Sequence, residues 1–268
     1  MATRIAVLGA DGRMGRALTR AVVAAAPEAK LAVACERPDH PALGKDPGVL
    51  AGGEATGVTV IGSLPAKGAA DVWIDFTAAS ATETVAAAAS AAGAALVVGT
   101  TGLGDQARAA LDQAAKKVPV IYATNYSVGI NVLRAVVAEA ARALGPSYDI
   151  EIVEAHHRSK RDAPSGTALT LAEAVATATG RQLATAARYA RQGDIGPRSA
   201  GEIGIQSVRG GDVIGDHTVF FLGSGDRLEI THRATTRDTF AVGAVRAAVW
   251  LASRPVGMYD MRAVLGLA

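Results

Sequence analysis

The sequence predicts an α/β protein, with a parallel doubly wound sheet in its first half and a smaller α+β part with a mixed sheet after it. Three observations carry this expectation. Short β-branched runs alternate with Ala-rich helical stretches up to about residue 126. Three strand-like segments late in the chain follow one another with only tight turns between them. Half of the 268 residues are hydrophobic but only 4% are aromatic, so the cores must be built from Ala, Val, Leu and Ile.

Each element is read in order. Residues 4–8 form a compact strand, followed by a Gly-rich turn and an apolar helix over 13–26. Strands at 31–35, 58–61, 72–76, 96–99 and 118–122 continue the series, with helices starting at Ser80 and Asp105. Ser80-Ala81-Thr82-Glu83 has the Ser-x-x-Glu form of a capping box, which marks a helix start. After Tyr126 a helix over 130–144 leads to a strand at 149–155 and a helix over 166–179. Residues 181–200 are polar, contain Gly193, Gly196 and Pro197, and read as a long loop. Strands at 202–209, 213–222 and 227–233 are joined by Gly210-Gly211-Asp212 and Gly223-Ser224-Gly225. A last helix covers 240–252. The expected division is a domain of residues 1–126, onto which 238–268 pack back, and a second domain of 127–237.

Composition narrows the function. A net charge of +2 with dispersed Lys and Arg offers no basic track, so neither nucleic acid nor an anionic membrane is expected as a partner. Cys35 is the only cysteine, which forbids an intrachain disulfide and a thiolate zinc site. The N-terminus enters a strand pattern without a signal peptide. The longest apolar run, 86–98, is interrupted by Ser90 and Gly93 and is too short for a bilayer. The expectation is a soluble, cytoplasmic protein.

Gly9-Ala10-Asp11-Gly12-Arg13-Met14-Gly15 lies between the first strand and the first helix. There the backbone must turn tightly and offer amide N–H groups to a pyrophosphate at the positive helix end. A structural turn is the plain alternative, since turns collect glycine. A little over 20 residues later the second strand ends at Glu36-Arg37, where a ribose is read. Glu36 suits the hydroxyls of NAD and Arg37 the 2′-phosphate of NADP, so either NADH or NADPH is expected. A solvated charge pair is the alternative. Gly99, Thr100 and Thr101 follow one strand, and Ala123, Thr124, Asn125 and Tyr126 follow another. Either could be a plain turn, but with the Gly loop and Glu36-Arg37 on the same sheet edge a Rossmann-like cofactor crevice is the better reading.

The second half carries Glu154-Ala155-His156-His157-Arg158-Ser159-Lys160-Arg161-Asp162-Ala163-Pro164-Ser165-Gly166-Thr167-Ala168, with two of the five histidines adjacent. On a strand His156 and His157 point to opposite faces, so one can transfer a proton while the other binds. Lys160 offers a cationic proton donor in a cluster with Arg158 and Arg161. Ser165 is an expected N-cap, and the N–H groups of Gly166 and Thr167 suit a carboxylate. An ordinary capped helix after a basic loop leaves this polar density unexplained, and a metal site lacks a third ligand. Gly-x-Ser-x-Gly and Walker A loops are absent.

On these residues the chain resembles the dihydrodipicolinate reductase family over nearly its whole length. The resemblance runs from Gly12-Arg13-Met14-Gly15 through Gly99-Thr100-Thr101-Gly102, Asn125-Tyr126-Ser127-Val128-Gly129 and the stretch 156–168. It continues in Arg209-Gly210-Gly211, Gly215-Asp216-His217-Thr218-Val219, Leu228-Glu229-Ile230-Thr231-His232 and Tyr259-Asp260-Met261. It implies that His156 is a proton donor or acceptor and Lys160 a proton donor. His157, Ser165, Gly166 and Thr167 would hold a small dicarboxylate substrate. Residues 9–14, Glu36, Arg37, 99–101 and 123–126 would line the NADH or NADPH site, and the assembly would be a homotetramer. The rivals are another amino-acid-pathway dehydrogenase and a dinucleotide-binding redox sensor, neither of which needs the His-His-x-x-Lys cluster.

Overall fold

A computed structural model describes residues 1–267, which form two compact units: 1–128 with 237–267, and 129–236. In the first unit β1 (Thr3–Leu8), α1 (Arg13–Ala24), β2 (Ala29–Cys35), α2 (Pro47–Leu50), β3 (Val60–Ile61), β4 (Val72–Asp75), α3 (Thr82–Ala92), β5 (Ala95–Val98), α4 (Asp105–Ala114) and β6 (Pro119–Tyr122) follow in turn. The strands are parallel and lie in the order β3-β2-β1-β4-β5-β6. Ile5, Val7 and Ile74 face one core and Ala6, Leu8 and Trp73 the other, so the sheet is buried on both faces.

The end of the chain completes this unit. α8 (Asp238–Leu251) sets Ala241, Ala244, Ala248 and Leu251 into the core shared by Ala17 and Leu18 of α1. A Cβ at Gly243 would collide with the Tyr126 carbonyl oxygen, so glycine permits this close approach. β12 (Gly257–Tyr259) pairs with β6 and is followed by α9 (Met261–Leu265). Periodicity missed this strand because three residues carry no pattern.

In the second unit α5 (Val128–Leu144), β7 (Asp149–His156), α6 (Gly166–Ala178), α7 (Leu183–Ala186), β8 (Ala187–Arg188), β9 (Ile203–Arg209), β10 (Gly215–Leu222) and β11 (Arg227–Ala234) build a mixed sheet in the order β11-β10-β7-β9-β8. Ile150, Ile152, Val219 and Phe221 pack under Leu171 and Val175 of α6 and Val137 of α5. The opposite face carries half-exposed Val153, Thr218 and Phe220.

Two local expectations are corrected. The Ser80 capping box does not form: a 3-10 turn over Ala79–Ala81 runs into α3 from Ala81, with no side-chain cap. Residues 181–200 are not a continuous loop, since they hold α7 and β8, which pairs with β9. Partly exposed ion pairs anchor the rest of that segment: Arg191 grips both oxygens of Glu151, and Arg198 bonds Glu151 and Asp149. Tertiary charge pairing of this kind leaves no hydrophobic period to read.

Candidate active site

In the first unit the Gly loop is shaped by its own backbone. Gly9 sits at φ +68°, a region L side chains avoid. Its N–H and that of Ala10 donate to the Cys35 carbonyl at 2.9 and 3.1 Å, tying the loop to the end of β2. A Cβ at Gly15 would strike the Gly9 carbonyl oxygen and come within 2.7 Å of the Ala10 backbone. Gly12 caps α1 in extended conformation without a side-chain bond, and no acid lies in the first turn. The positive helix end is therefore open to an anion at exposed Gly12 and Arg13.

Charge around the loop is balanced. A carboxylate at Asp11 would repel a diphosphate, but Arg16 pairs with it at 2.7 Å and His40 Nδ1 lies 4.0 Å away. Glu36 Oε1 accepts from the Asp11 N–H at 3.0 Å, so the residue after β2 is locked to the Gly loop. Arg37 is exposed beside it.

The remaining loops lie at the carboxyl ends of neighbouring strands. Asp75 ends β4 fully buried, its Oδ1 accepting from Thr77 N–H and Oγ1 at 2.9 and 2.6 Å. Burial raises its pKa. The Thr77 methyl lies 3.0 Å from where a Gly9 Cβ would sit, so this turn buttresses the Gly loop. The Phe76 ring fills the place of a side chain at Gly99. Thr100 is 6% exposed and its Oγ1 has no hydrogen-bond partner among the described residues, whereas Thr101 is exposed. Ala123 and Asn125 are half-buried, Thr124 is exposed, and Asn125 Oδ1 accepts from the Ser127 N–H. The Tyr126 side chain lies in the core. It is 1% exposed, donates to the Val98 carbonyl at 2.9 Å and packs on Phe76.

These groups fit a dinucleotide: a cradle that any Cβ would fill, a bare helix start and an orphaned hydroxyl occupy one sheet edge. The strand order 3-2-1-4-5-6 reverses between β1 and β4, which is where such sheets bind their ligands.

In the second unit the polar stretch closes on itself. Alternation along β7 puts Glu154 and His156 on the helix-covered face, 0% and 8% exposed, and His157 past the strand end is half-buried. His156 Nδ1 lies 2.5 Å from Glu154 Oε2. Arg209, paired with His156 in the register of β9, donates to both Glu154 oxygens at 2.8 and 2.7 Å. His217, opposite Glu154 on β10, stands edge-on to His156 at 5.2 Å.

The start of α6 meets the same cluster. Ser165 caps the helix by accepting from Ala168 N–H. Its own N–H donates to Glu154 Oε1 and its Oγ lies 3.1 Å from His217 Nε2. Gly166 is exposed and Thr167 half-buried at the first turn. Lys160 Nζ pairs with Asp162 at 2.9 Å, so the expected cluster of cations contains a counter-ion.

Protonation follows from this packing. Burial opposes the Glu154 charge, but Arg209, Ser207 and His156 outweigh it and hold the carboxyl at about 2. Burial lowers His156 below its ordinary value against the pull of Glu154, and lowers His217 to about 4 with help from His156. Sequence reasoning gave no role to Glu154, Arg209, His217 or Asp75. Glu154 was legible, since it precedes His156 by two on a strand. The register that brings Arg209 and His217 was not.

Among the described residues no group of three His, Cys, Asp or Glu could hold a metal ion, and no helix is long and apolar enough to cross a membrane. A doubly wound sheet with a dinucleotide cradle, followed by a mixed-sheet unit with a buried imidazole–carboxylate cluster, defines an NAD(P)H-dependent oxidoreductase. Residues 3–126 match the family model described as dihydrodipicolinate reductase, N-terminus, and residues 129–265 that described as its C-terminus. The chain belongs to the dihydrodipicolinate reductase family. It is 54% identical over 266 residues to the 4-hydroxy-tetrahydrodipicolinate reductase of Anaeromyxobacter dehalogenans, covering 99% of this chain and 98% of the other. It is 52% identical to the reductase of the same name from Halorhodospira halophila over the whole of both chains. In fold it is similar to a dipicolinate-bound dihydrodipicolinate reductase from Paenisporosarcina sp. TG-14, with a TM-score of 0.75 at 23% identity over 97% of this chain and 98% of that one.

Proposed function

We propose that the two clusters divide one reaction between them, the reduction of the dehydrated ring of 4-hydroxy-tetrahydrodipicolinate to tetrahydrodipicolinate in diaminopimelate and lysine biosynthesis. Bound NADH or NADPH supplies the hydride, which goes to ring C4. Residues 9–14, Glu36, Arg37, 99–101 and 123–126 bind and orient the dinucleotide. His157, Ser165, Gly166 and Thr167 hold the two carboxylates at the positive end of α6. His156 and Lys160 deliver the proton to the carbon beside C4, while the conjugated nitrogen spreads the negative charge.

The observation that carries this reading is the cluster at the start of α6. It puts neutral imidazoles and a capped helix end together with Lys160 in the same short stretch. A dianionic ring brought there adds negative charge, which drives His156 toward the protonated form. In this reading residues 1–126 with 238–268 are the dinucleotide domain and 127–237 the substrate domain. The half-exposed outer face of the second sheet is the surface on which a homotetramer assembles. A single buried cysteine agrees with a cytoplasmic setting.

The test is turnover with each reduced cofactor and the product of the upstream synthase, followed at the nicotinamide absorbance. His156→Ala and Lys160→Ala are expected to slow kcat by about 10²-fold or more, the range of lost general acid catalysis, with cofactor affinity held. Equal loss of cofactor binding in both variants, or no turnover with this substrate, overturns the assignment.

A further inference from the structure

We infer that Glu154 is the positioning residue of the proton-transfer step, fixing the hydrogen of His156 on Nδ1 so that Nε2 is the atom that exchanges with the substrate. This rests on the catalytic role proposed above for His156. Glu154 is fully buried, yet its two oxygens meet both Arg209 terminal nitrogens, the Ser165 N–H and His156 Nδ1, with the Ser207 side chain as a further partner. A carboxylate gripped by a guanidinium and a backbone amide is ionised and only accepts. The 2.5 Å contact is therefore made by an N–H at Nδ1. In the neutral ring Nε2 is then the bare nitrogen.

The surroundings of Nε2 agree. A Cβ at Gly215 would stand 3.0 Å from it, so the residue beside this nitrogen on β10 has no side chain to obstruct it. The groups facing the ring are Glu154 on β7, Arg209 on β9, His217 on β10 and Lys160 on the following loop. Of these only Glu154 is negative. When Nε2 takes up a proton the imidazolium has one counter-charge within contact, and that counter-charge is held in place by Arg209. The proton then leaves Nε2 for the ring carbon, whose electron pair forms the new C–H bond, and the imidazole returns to neutral.

Fixing the tautomer and stabilising the charged ring are separable from merely holding the strand. In the unsubstituted protein, imidazole ¹⁵N shifts are expected to show His156 protonated at Nδ1 and bare at Nε2 at neutral pH. The opposite tautomer overturns the inference without any variant. Glu154→Gln is expected to lower kcat by about 10- to 100-fold with KM changed far less, a part of the general-acid effect. Because Glu154 raises the His156 pKa, its removal should shift the limb on which kcat falls with rising pH to lower pH. Glu154→Asp should restore part of that shift.

The double variant separates the two readings. If Glu154→Gln costs nothing further in a His156→Gln background, it acts through His156. If it costs the same fold in both backgrounds, Glu154 is only structural and the inference fails. If His156→Gln alone leaves kcat intact, it is the catalytic assignment of His156 that fails.

Discussion

The two units make their chemistry from different parts of the chain. In the first, the dinucleotide edge is mostly backbone: Gly9, Gly12 and Gly15 matter for the side chains they lack, and the open α1 terminus offers amide groups. In the second, chemistry comes from side chains of four elements, buried together at the end of β7. Backbone sites are local and tolerate almost any neighbour that leaves room. Side-chain clusters are non-local and depend on register, burial and charge at once.

The sharpest way to break this contrast is Gly15→Ala. A methyl group against Gly9 and Ala10 should force the loop open, weakening dinucleotide binding by roughly 10²-fold. Overpacking should also cost about 1–3 kcal/mol of first-unit stability. Cofactor fluorescence and thermal melting measure the two effects, and an unaltered affinity would deny the loop its role.

Acid should act on the second unit through His217 and Glu154. His217 titrates near 4 in the folded protein against about 6.5 unfolded, so its contribution is whole above 6.5 and is lost as pH falls to 4. That is up to about 3 kcal/mol at 1.36 kcal/mol per pKa unit. Glu154, held at about 2, extends the loss from roughly pH 4.5 downward. Amide exchange should loosen along β7 and β10 first, and His217→Gln should flatten the upper part of that curve.

The smallest effect is expected from Asp46→Ala in the first unit. Asp46 caps α2 and accepts from Gly48, Thr56 and Gly57, so its loss should cost about 1 kcal/mol. The expected result is a lower melting temperature with kcat unchanged.

The same division explains what could be read from sequence. The parallel strands β1 to β6 and the Gly loop were legible because each is announced within about fifteen residues: a β-branched run, then glycines, then an apolar helix. His156, Lys160 and Ser165 were legible because they share one dense stretch. Arg209 and His217 lie 53 and 61 residues beyond His156, and only the pairing of β9 and β10 with β7 makes them neighbours. Burial of the Tyr126 side chain was not legible, because its hydroxyl finds its partners on two strand carbonyls in the core. The Ser80 motif failed because the preceding residues already turn as a 3-10 helix.

Cys35 lies at the end of β2, 3% exposed, with its carbonyl holding the N–H groups of Gly9 and Ala10. Burial, with Glu36 and Asp75 close by, pushes its thiol up to about 12, so almost none is thiolate at neutral pH. An alkylating reagent therefore has no nucleophile to meet until this strand end comes apart. Because the chain has a single sulfhydryl, its labelling rate is a clock for the transient opening of the nucleotide edge, and a tightly held coenzyme slows that clock.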